Sequence, residues 1–419
     1  MGKDFDSDIV ETIEKLRSCE DVQKALQLVQ QQLPDIIEIQ KELALIEAPT
    51  FHEENKARRY AQLLVEAGLE EVKIDEHFNV WGRWPGIGKT GKSVLLEGHL
   101  DTVFSFGDVK ELKVDDEGRI HCPGICDDTR AIAANLSVLK AFKTLGIRPY
   151  HDIIFAATVC EEGLGAMLGM KTLLQGLEEQ TKVLAAISID GPSNNVFYAN
   201  ATGMVDWSVT FKGPGGHAWT ASDMPSALHA ACRAASIIAD FKLPTSPKTI
   251  VTVSLIEGGQ AIHGIAQQCT MKINARSNSQ EELVKLNTQM IEAFEKGAEL
   301  ENSYKGTPGL IQVCYEKLLD IPAGSQNEDC RMIQATKAVT ESLGIEPCLK
   351  PGGCTNTNMA IARKIPGVCL GRGGKEYGTH TLNEWFDPKG VEACEQKSIL
   401  LLLTLAGLDD RIKALGETL

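Results

Sequence analysis

Three short apolar runs in this chain each end in an acid or a histidine, and stretches of helical periodicity separate them. The run at 94–96 leads to Gly98-His99-Leu100-Asp101, the run at 153–160 to Glu161-Glu162, and the run at 183–189 to Asp190-Gly191. Runs of this length predict buried strands, and helices between them predict an α/β fold with a largely parallel sheet covered on both faces. The spacing of apolar residues predicts helical structure over 8–32, 36–46, 53–67, 129–145 and 164–175. After Tyr198 the pattern changes to strands at 205–211, 250–256 and 269–275 with helices at 225–241 and 280–296. That is an α+β module of about a hundred residues. Helix–strand alternation returns near Ile321, with a helix at 329–343 and a last one from Gly390 to about Leu405. The expected organisation is a discontinuous α/β domain, 1–200 and 317–419, with an α+β domain inserted at 201–316. A chain of 419 residues fits that plan, at roughly 150 residues per domain.

Composition narrows the partners. A hydrophobic share of 43% and a charged share of 24% are those of an ordinary globular protein. The net charge of −15 argues against nucleic acid or an anionic membrane, yet leaves a buried cation site open. The sequence has no apolar span long enough for a bilayer. The opening residues, Met1-Gly2-Lys3-Asp4-Phe5-Asp6, carry no apolar signal core and lack the hydroxyl residue that N-myristoylation requires at position 6. The 12 cysteines follow no framework spacing, which predicts reduced thiols and a cytoplasmic protein. Cys122, Cys126, Cys160 and Cys354 lie near the polar motifs and are read as packing.

One motif points elsewhere. Gly86-Ile87-Gly88-Lys89-Thr90-Gly91-Lys92-Ser93 matches the phosphate-binding pattern G-x-x-x-x-G-K-S. Its mechanics need a helix after the loop, whose N-terminus faces the phosphates. Here a short apolar, strand-like run follows and Gly98 stops it. A hairpin turn is the plainer reading.

The polar run-ends deserve a common explanation. In extended chain His99 and Asp101 point the same way, and a metal-binding imidazole commonly donates its other N–H to a carboxylate. Pro123-Gly124-Ile125-Cys126-Asp127-Asp128-Thr129 puts two acids at a helix start, where Asp128 suits the N-cap and Asp127 is free to turn back. Adjacent acids such as Glu161 and Glu162 repel unless a cation or a shared proton separates them. Gly378-Thr379-His380-Thr381 adds a late histidine in a polar loop. Each has a bland reading alone: a polar strand rim, a helix cap, a loop. Together they bring acids and imidazoles to the carboxyl ends of strands, where open α/β sheets bind ligands. Carboxylates with two imidazoles suit zinc, with cobalt or manganese as the other choices. Five ligands exceed one four-coordinate zinc with an open position. A dinuclear site sharing one carboxylate accommodates them and leaves one acid as base.

These blocks, in this order, resemble the M20 family of metallopeptidases, from Leu43-Ala44-Leu45-Ile46-Glu47-Ala48-Pro49 to the final helix. Ile321-Pro322-Ala323-Gly324-Ser325 and Gly352-Gly353-Cys354-Thr355 are most similar to the peptidase T-like branch. The resemblance implies that His99 and Asp190 hold one metal, Glu162 and His380 a second, and that Asp127 bridges them. It implies a cis Asp127–Asp128 peptide, Asp101 orienting His99, and Glu161 as the general base acting on a water between the metals. It makes the insertion a lid and dimerisation domain of a homodimer. By the same resemblance, Gly213-Pro214-Gly215-Gly216-His217-Ala218 would carry a histidine that stabilises the oxyanion in the neighbouring subunit, and Arg276 would grip a substrate carboxylate. His263 stands where many members have Asn, and is assigned to substrate binding. Without the resemblance, His217 reads as an exposed turn residue and Arg276 as a strand-end ion pair. Thr129-Arg130-Ala131 replaces a common Lys-Gly-Gly, and Thr355 replaces an acid; both departures are expected to touch substrate recognition.

The resulting expectation is a hydrolase of small peptides, a di- or tripeptide aminopeptidase. An N-acyl amino acid deacylase or a carboxypeptidase is the alternative within the family. A catalytically dead binding protein on the same scaffold is the rival from another class, and the intact ligand set speaks against it.

Overall fold

The protein was analysed as a computed structural model that describes residues 5–307 and 309–419. The first four positions of the opening stretch lie outside these residues. Two compact units result: Met1–Asn200 with Gln326–Leu419, and Ala201–Ser325.

The larger unit is built on an eight-stranded sheet. In spatial order its strands are Glu70–Ile74, Val80–Trp84, Asp152–Thr158, Lys92–His99, Lys182–Gly191, Gly367–Gly371, Val196–Tyr198 and Cys348–Lys350. The third to sixth run parallel to one another, while Val80–Trp84 and Val196–Tyr198 pair antiparallel with their inner neighbours. The central strands are buried almost throughout, as a parallel sheet flanked by helices requires. One apolar cluster unites them with the helices Thr129–Leu145 and Glu392–Ala406 and with the N-terminal helices. The stretch 8–32 forms two helices, Ser7–Ser18 and Glu20–Gln31, because Cys19 between them is extended. A second small sheet pairs Lys375–Tyr377, Trp385–Asp387, Ile120–His121 and Lys113–Val114. Cys122, Cys126 and Cys160 are buried and Cys354 half-buried, and none of the four is joined in a disulfide.

The smaller unit has a four-stranded antiparallel sheet in the order Thr249–Gly258, Gln268–Ser277, Gly203–Lys212 and Gln312–Ile321. Alternation is clean: Cys269, Met271, Ile273 and Ala275 face a core shared with Val205, Trp207, Val209 and Phe211. The helices Ala227–Ala239 and Gln280–Lys305 cover that face. The second helix runs nine residues past its expected end at 296 and stops at Gly306, whose φ of 65° suits a left-handed cap. The boundary expected at 316/317 falls inside Gln312–Ile321, which pairs along its length with Gly203–Lys212. The division lies instead between Ser325 and Gln326. Lys317 and Asp320 on that strand alternate too weakly with apolar residues for the strand to be read from sequence.

Candidate active site

Four neighbouring parallel strands of the larger unit end at one sheet edge, with His99 opposite Thr158 and Gly371 opposite Gly191. The strand Lys92–His99 runs through Gly98 rather than stopping there. A Cβ on Gly98 would meet Ala131 Cβ at 2.6 Å, so its absence lets the Thr129–Leu145 helix lie against the strand. That closeness has a consequence for Asp128. It stands at the helix N-cap but makes no side-chain cap bond; its Oδ2 accepts the His99 N–H at 3.0 Å instead. Both acids therefore turn back to the strand end, and the peptide between them is cis.

Asp101 is fully buried and works mainly on the backbone. Its Oδ1 accepts the Glu161 N–H and its Oδ2 the Glu162 N–H, both at 3.0 Å, and the Thr50 hydroxyl donates to Oδ2 at 3.0 Å. His99 Nδ1 lies 3.0 Å from the Asp101 carbonyl and 3.4 Å from its carboxylate. The carbonyl is the nearer partner, so the expected imidazole–carboxylate pair is only half of what Asp101 does.

Asp127 divides its oxygens. Oδ1 lies 3.1 Å from His99 Nε2, and Oδ2 lies 3.2 Å from His380 Nε2, which is also 2.9 Å from Glu162 Oε1. Three groups of ligand atoms gather within 4.8 Å of one another: His99, Asp127 and Asp190; Asp127, Glu162 and His380; and His99, Glu161 and Glu162. These atoms are hard oxygens and imidazole nitrogens, the donor set of zinc, cobalt or manganese, and they fit a pair of divalent ions.

The electrostatics point the same way. Burial raises the Asp190 carboxyl to about 8, and the neighbouring Asp127 charge adds to it. Glu161, 8% exposed, is pushed well above the usual carboxylate range by burial, against His99 and with Asp190. Burial opposes ionisation of Asp127 too, but Arg372 and the two imidazoles hold its carboxyl well below the ordinary value. His380 is raised to about 10 by its bonds to Asp127 and Glu162. More acid is gathered here than the local cations neutralise. A dication relieves that imbalance.

Sequence reasoning missed several residues at this edge. Arg372 follows the strand Gly367–Gly371 as His99 and Asp190 follow or end theirs; that strand was not read, so neither was its end. Glu384, buried, accepts N–H groups from Gly124 at 2.8 Å, Cys126 at 2.8 Å and Asp127 at 3.3 Å, and burial pushes it to about 7. It holds the loop that presents Asp127, and its position four residues after His380 was the available signal. Glu53 accepts the Cys160 N–H at 3.0 Å beneath Glu161. Lys56 is buried among Asp101, Cys122, Asp128 and Glu384, and burial lowers its ammonium to about 8.

Two expectations need correction. Arg130 is fully buried, pairs with Glu395 and donates to the Arg372 carbonyl at 3.3 Å, so it braces the fold and cannot face a substrate. Thr355 is buried and bonds with Thr357. The three candidates of the inserted region lie in the smaller unit. His217 is exposed on a two-stranded ribbon with Gly264–Ile265, and the Ala218 N–H donates to the His263 carbonyl at 2.9 Å. Arg276 is exposed on the four-stranded sheet, donating to Asn274 Oδ1 at 3.2 Å.

Comparison with known proteins yields a family profile and a set of similar folds. The profile of peptidase family M20/M25/M40 matches residues 95–404, more than half of the chain. Carboxypeptidase G2 of Pseudomonas sp. is 27% identical over 147 residues, 35% of this chain and 34% of that enzyme. The chain spans between a third and a half of the length of the curated relatives it matches. The structure of aminopeptidase PepT from Bacillus cereus superposes with a TM-score of 0.72 at 21% identity, over 88% of this chain and 97% of that one. A tripeptidase from Staphylococcus aureus gives 0.72 at 24%, over 88% and 96%. At these identities the structural likeness is one of fold.

Proposed function

The chain belongs to peptidase family M20/M25/M40, and from that premise we propose a dinuclear metal-dependent hydrolase that trims di- or tripeptides from the amino end. The observation that carries this reading is the division of Asp127 between two ligand groups, with Glu161 beside His99 and Glu162. His99 and Asp190 would hold one ion, Glu162 and His380 the other, and Asp127 both. When bound, the ions polarise the scissile carbonyl and make water acidic enough to ionise near neutrality.

The chain's own residues do the rest. Glu161 takes the proton of the attacking water and returns it to the leaving amine, a transfer suited to a carboxyl that burial holds well above the usual carboxylate range. Asp101 positions Glu161 and Glu162 through their backbone N–H groups and fixes the His99 ring. In a homodimer formed through the smaller unit, His217 would donate to the oxyanion of the neighbouring subunit's substrate. Arg276 would take the peptide carboxylate as a bidentate partner, with His263 as a further substrate contact. The exposure of all three suits residues that act on something outside their own unit. A cytoplasmic setting fits the free thiols, and no helix among the described residues is long and apolar enough to cross a membrane.

A second reading, a carboxypeptidase or N-acyl amino acid deacylase, draws on the sequence match to carboxypeptidase G2. Steady-state assays on tripeptides, dipeptides and N-acetyl amino acids, with zinc, cobalt or manganese added, separate the two. Release of the amino-terminal residue from tripeptides is expected. Deacylation with every tripeptide left intact would replace the first reading by the second.

A further inference from the structure

Among the described residues, Arg372 is the one at a strand end of the acidic edge that carries positive charge on a side chain that cannot release it. Its backbone is fixed on both sides, its N–H donating to the Gly191 carbonyl at 2.8 Å and its own carbonyl accepting from Arg130 Nε at 3.3 Å. The guanidinium is buried, 4% exposed. Nη1 lies 2.8 Å from Asp127 Oδ1, 3.1 Å from Asp190 Oδ1 and 3.8 Å from Asp128 Oδ1. Nη2 lies 3.2 Å from Glu376 Oε1, on the short strand Lys375–Tyr377 that follows.

These contacts divide the two ligand groups unequally. Asp127 and Asp190 belong to the group that includes His99, and one guanidinium nitrogen holds an oxygen of each. Among the described residues Arg372 makes no hydrogen bond or ion pair to Asp127 Oδ2, Glu162 or His380. A divalent ion at the first group needs an oxygen from each of the same two carboxylates, at roughly 2.0–2.2 Å. A guanidinium nitrogen within hydrogen-bond distance of both repels that ion and draws on the same lone pairs.

We propose that Arg372 competes with the metal for the His99–Asp127–Asp190 half-site, so that this half-site loads second and more weakly, and that Glu376 receives the guanidinium when the ion enters. The inference rests on the two-ion reading above and adds an order of loading to it. Binding of the first ion by Asp127 Oδ2, Glu162 and His380 leaves Arg372 in place. Binding of the second turns the guanidinium from the aspartates to Glu376, which already holds its other end. An orienting residue would behave in the opposite way, since removing a group that merely steadies the ligands loosens the metal.

The test is a titration of the metal-free full chain with cobalt or zinc, followed by equilibrium dialysis with elemental analysis and by the cobalt absorption spectrum. Wild type should bind two ions in classes at least about tenfold apart. Arg372→Met should tighten the weaker class by about tenfold and narrow the gap, whereas Glu376→Gln should widen it by about as much. A wild type holding one ion beside an Arg372→Met protein holding two is the same result in its extreme form. Two ions with a gap unmoved by either variant, or a weaker class loosened by Arg372→Met, overturns the inference and leaves the two-ion reading standing. At most one ion in all three proteins overturns the two-ion reading itself. Should Arg372→Met fail to fold, Glu376→Gln decides alone: a gap that narrows or stays constant counts against the inference.

Discussion

The strand Lys92–His99 has charged residues and a glycine-rich approach at its start, and acids and an imidazole at its end. At the start, Lys92 Nζ meets Glu417 at 2.7 Å, and His151 Nε2 lies 3.1 Å from the same carboxylate. The backbone N–H groups of Gly86, Ile87 and Gly88 donate to Asp152 Oδ1 and to the carbonyls of Pro149 and Tyr150, at 2.8 to 3.0 Å. A phosphate would need those donors free. At the end, His99, Asp101, Asp127, Asp128, Glu161 and Asp190 lie together with Arg372 as the principal fixed cation. The P-loop pattern is matched to the letter at the satisfied end, and the unsatisfied end is where the proposed chemistry lies. A site is marked by groups whose charge or hydrogen bonding the fold leaves incomplete, and letter patterns do not record that.

The contrast can be broken from its strongest point downward. Removing divalent ions with a chelator should abolish hydrolysis, and zinc, cobalt or manganese should restore it. The metal-free protein should also lose stability as pH rises. Asp190 at about 8 and Glu384 at about 7 keep protons in the fold that the unfolded chain releases above about pH 4. Their contribution is complete below that pH and disappears as pH climbs through the folded values. His380, raised to about 10, acts in the same direction above about pH 6.5, and the lowered carboxyl of Asp127 acts oppositely only below about pH 4. Urea midpoints measured with chelator at about pH 5 and about pH 8 check the sign. A higher midpoint at the upper pH would mean that the acids are not confined as described.

Glu161→Gln should lower kcat by about 10²–10⁴-fold, with metal content by elemental analysis unchanged. Loss of both ions would move Glu161 from proton transfer to ligation. Asp101→Ala and Glu384→Gln remove hydrogen bonds that hold the backbone of ligand-bearing loops, and each should weaken metal affinity by about 10–100-fold. Their circular dichroism should stay native; gross unfolding of Asp101→Ala would make that residue a pillar of the fold. Lys92→Ala, at the satisfied end, removes a half-exposed ion pair with an expected effect under about 1 kcal/mol in thermal or urea unfolding. Nucleotide bound by wild type and lost in this variant would reverse the comparison altogether.

Much of the acidic edge was legible because strand ends are local. His99, Asp127, Glu161, Glu162 and Asp190 each follow an apolar run or open a helix, and short-range patterns carry both signals. His380 stood out as a late histidine in a polar loop, but only the family resemblance assigned it to a particular metal, since its loop has no such pattern. Arg372 and Glu384 were not read. The first follows a five-residue strand, Gly367–Gly371, too short to stand out, and the second acts on backbone atoms some 260 positions earlier in the chain. Arg130 shows the opposite error: an arginine beside the acid pair reads as a substrate contact until its burial and its partner Glu395 are known.

Alternation of apolar and polar residues determined the α/β class, the parallel core and the edge to which the acids belong, because those depend on periodicities of two and 3.6 residues. Tertiary structure decided how each acid is used. Whether Asp128 caps its helix or meets the His99 N–H depends on how closely that helix approaches Gly98. Whether Asp127 faces one partner or two depends on where His380 and Arg372 arrive from distant parts of the chain. Such choices turn on ångström-scale distances between groups far apart in sequence, and no local pattern encodes them.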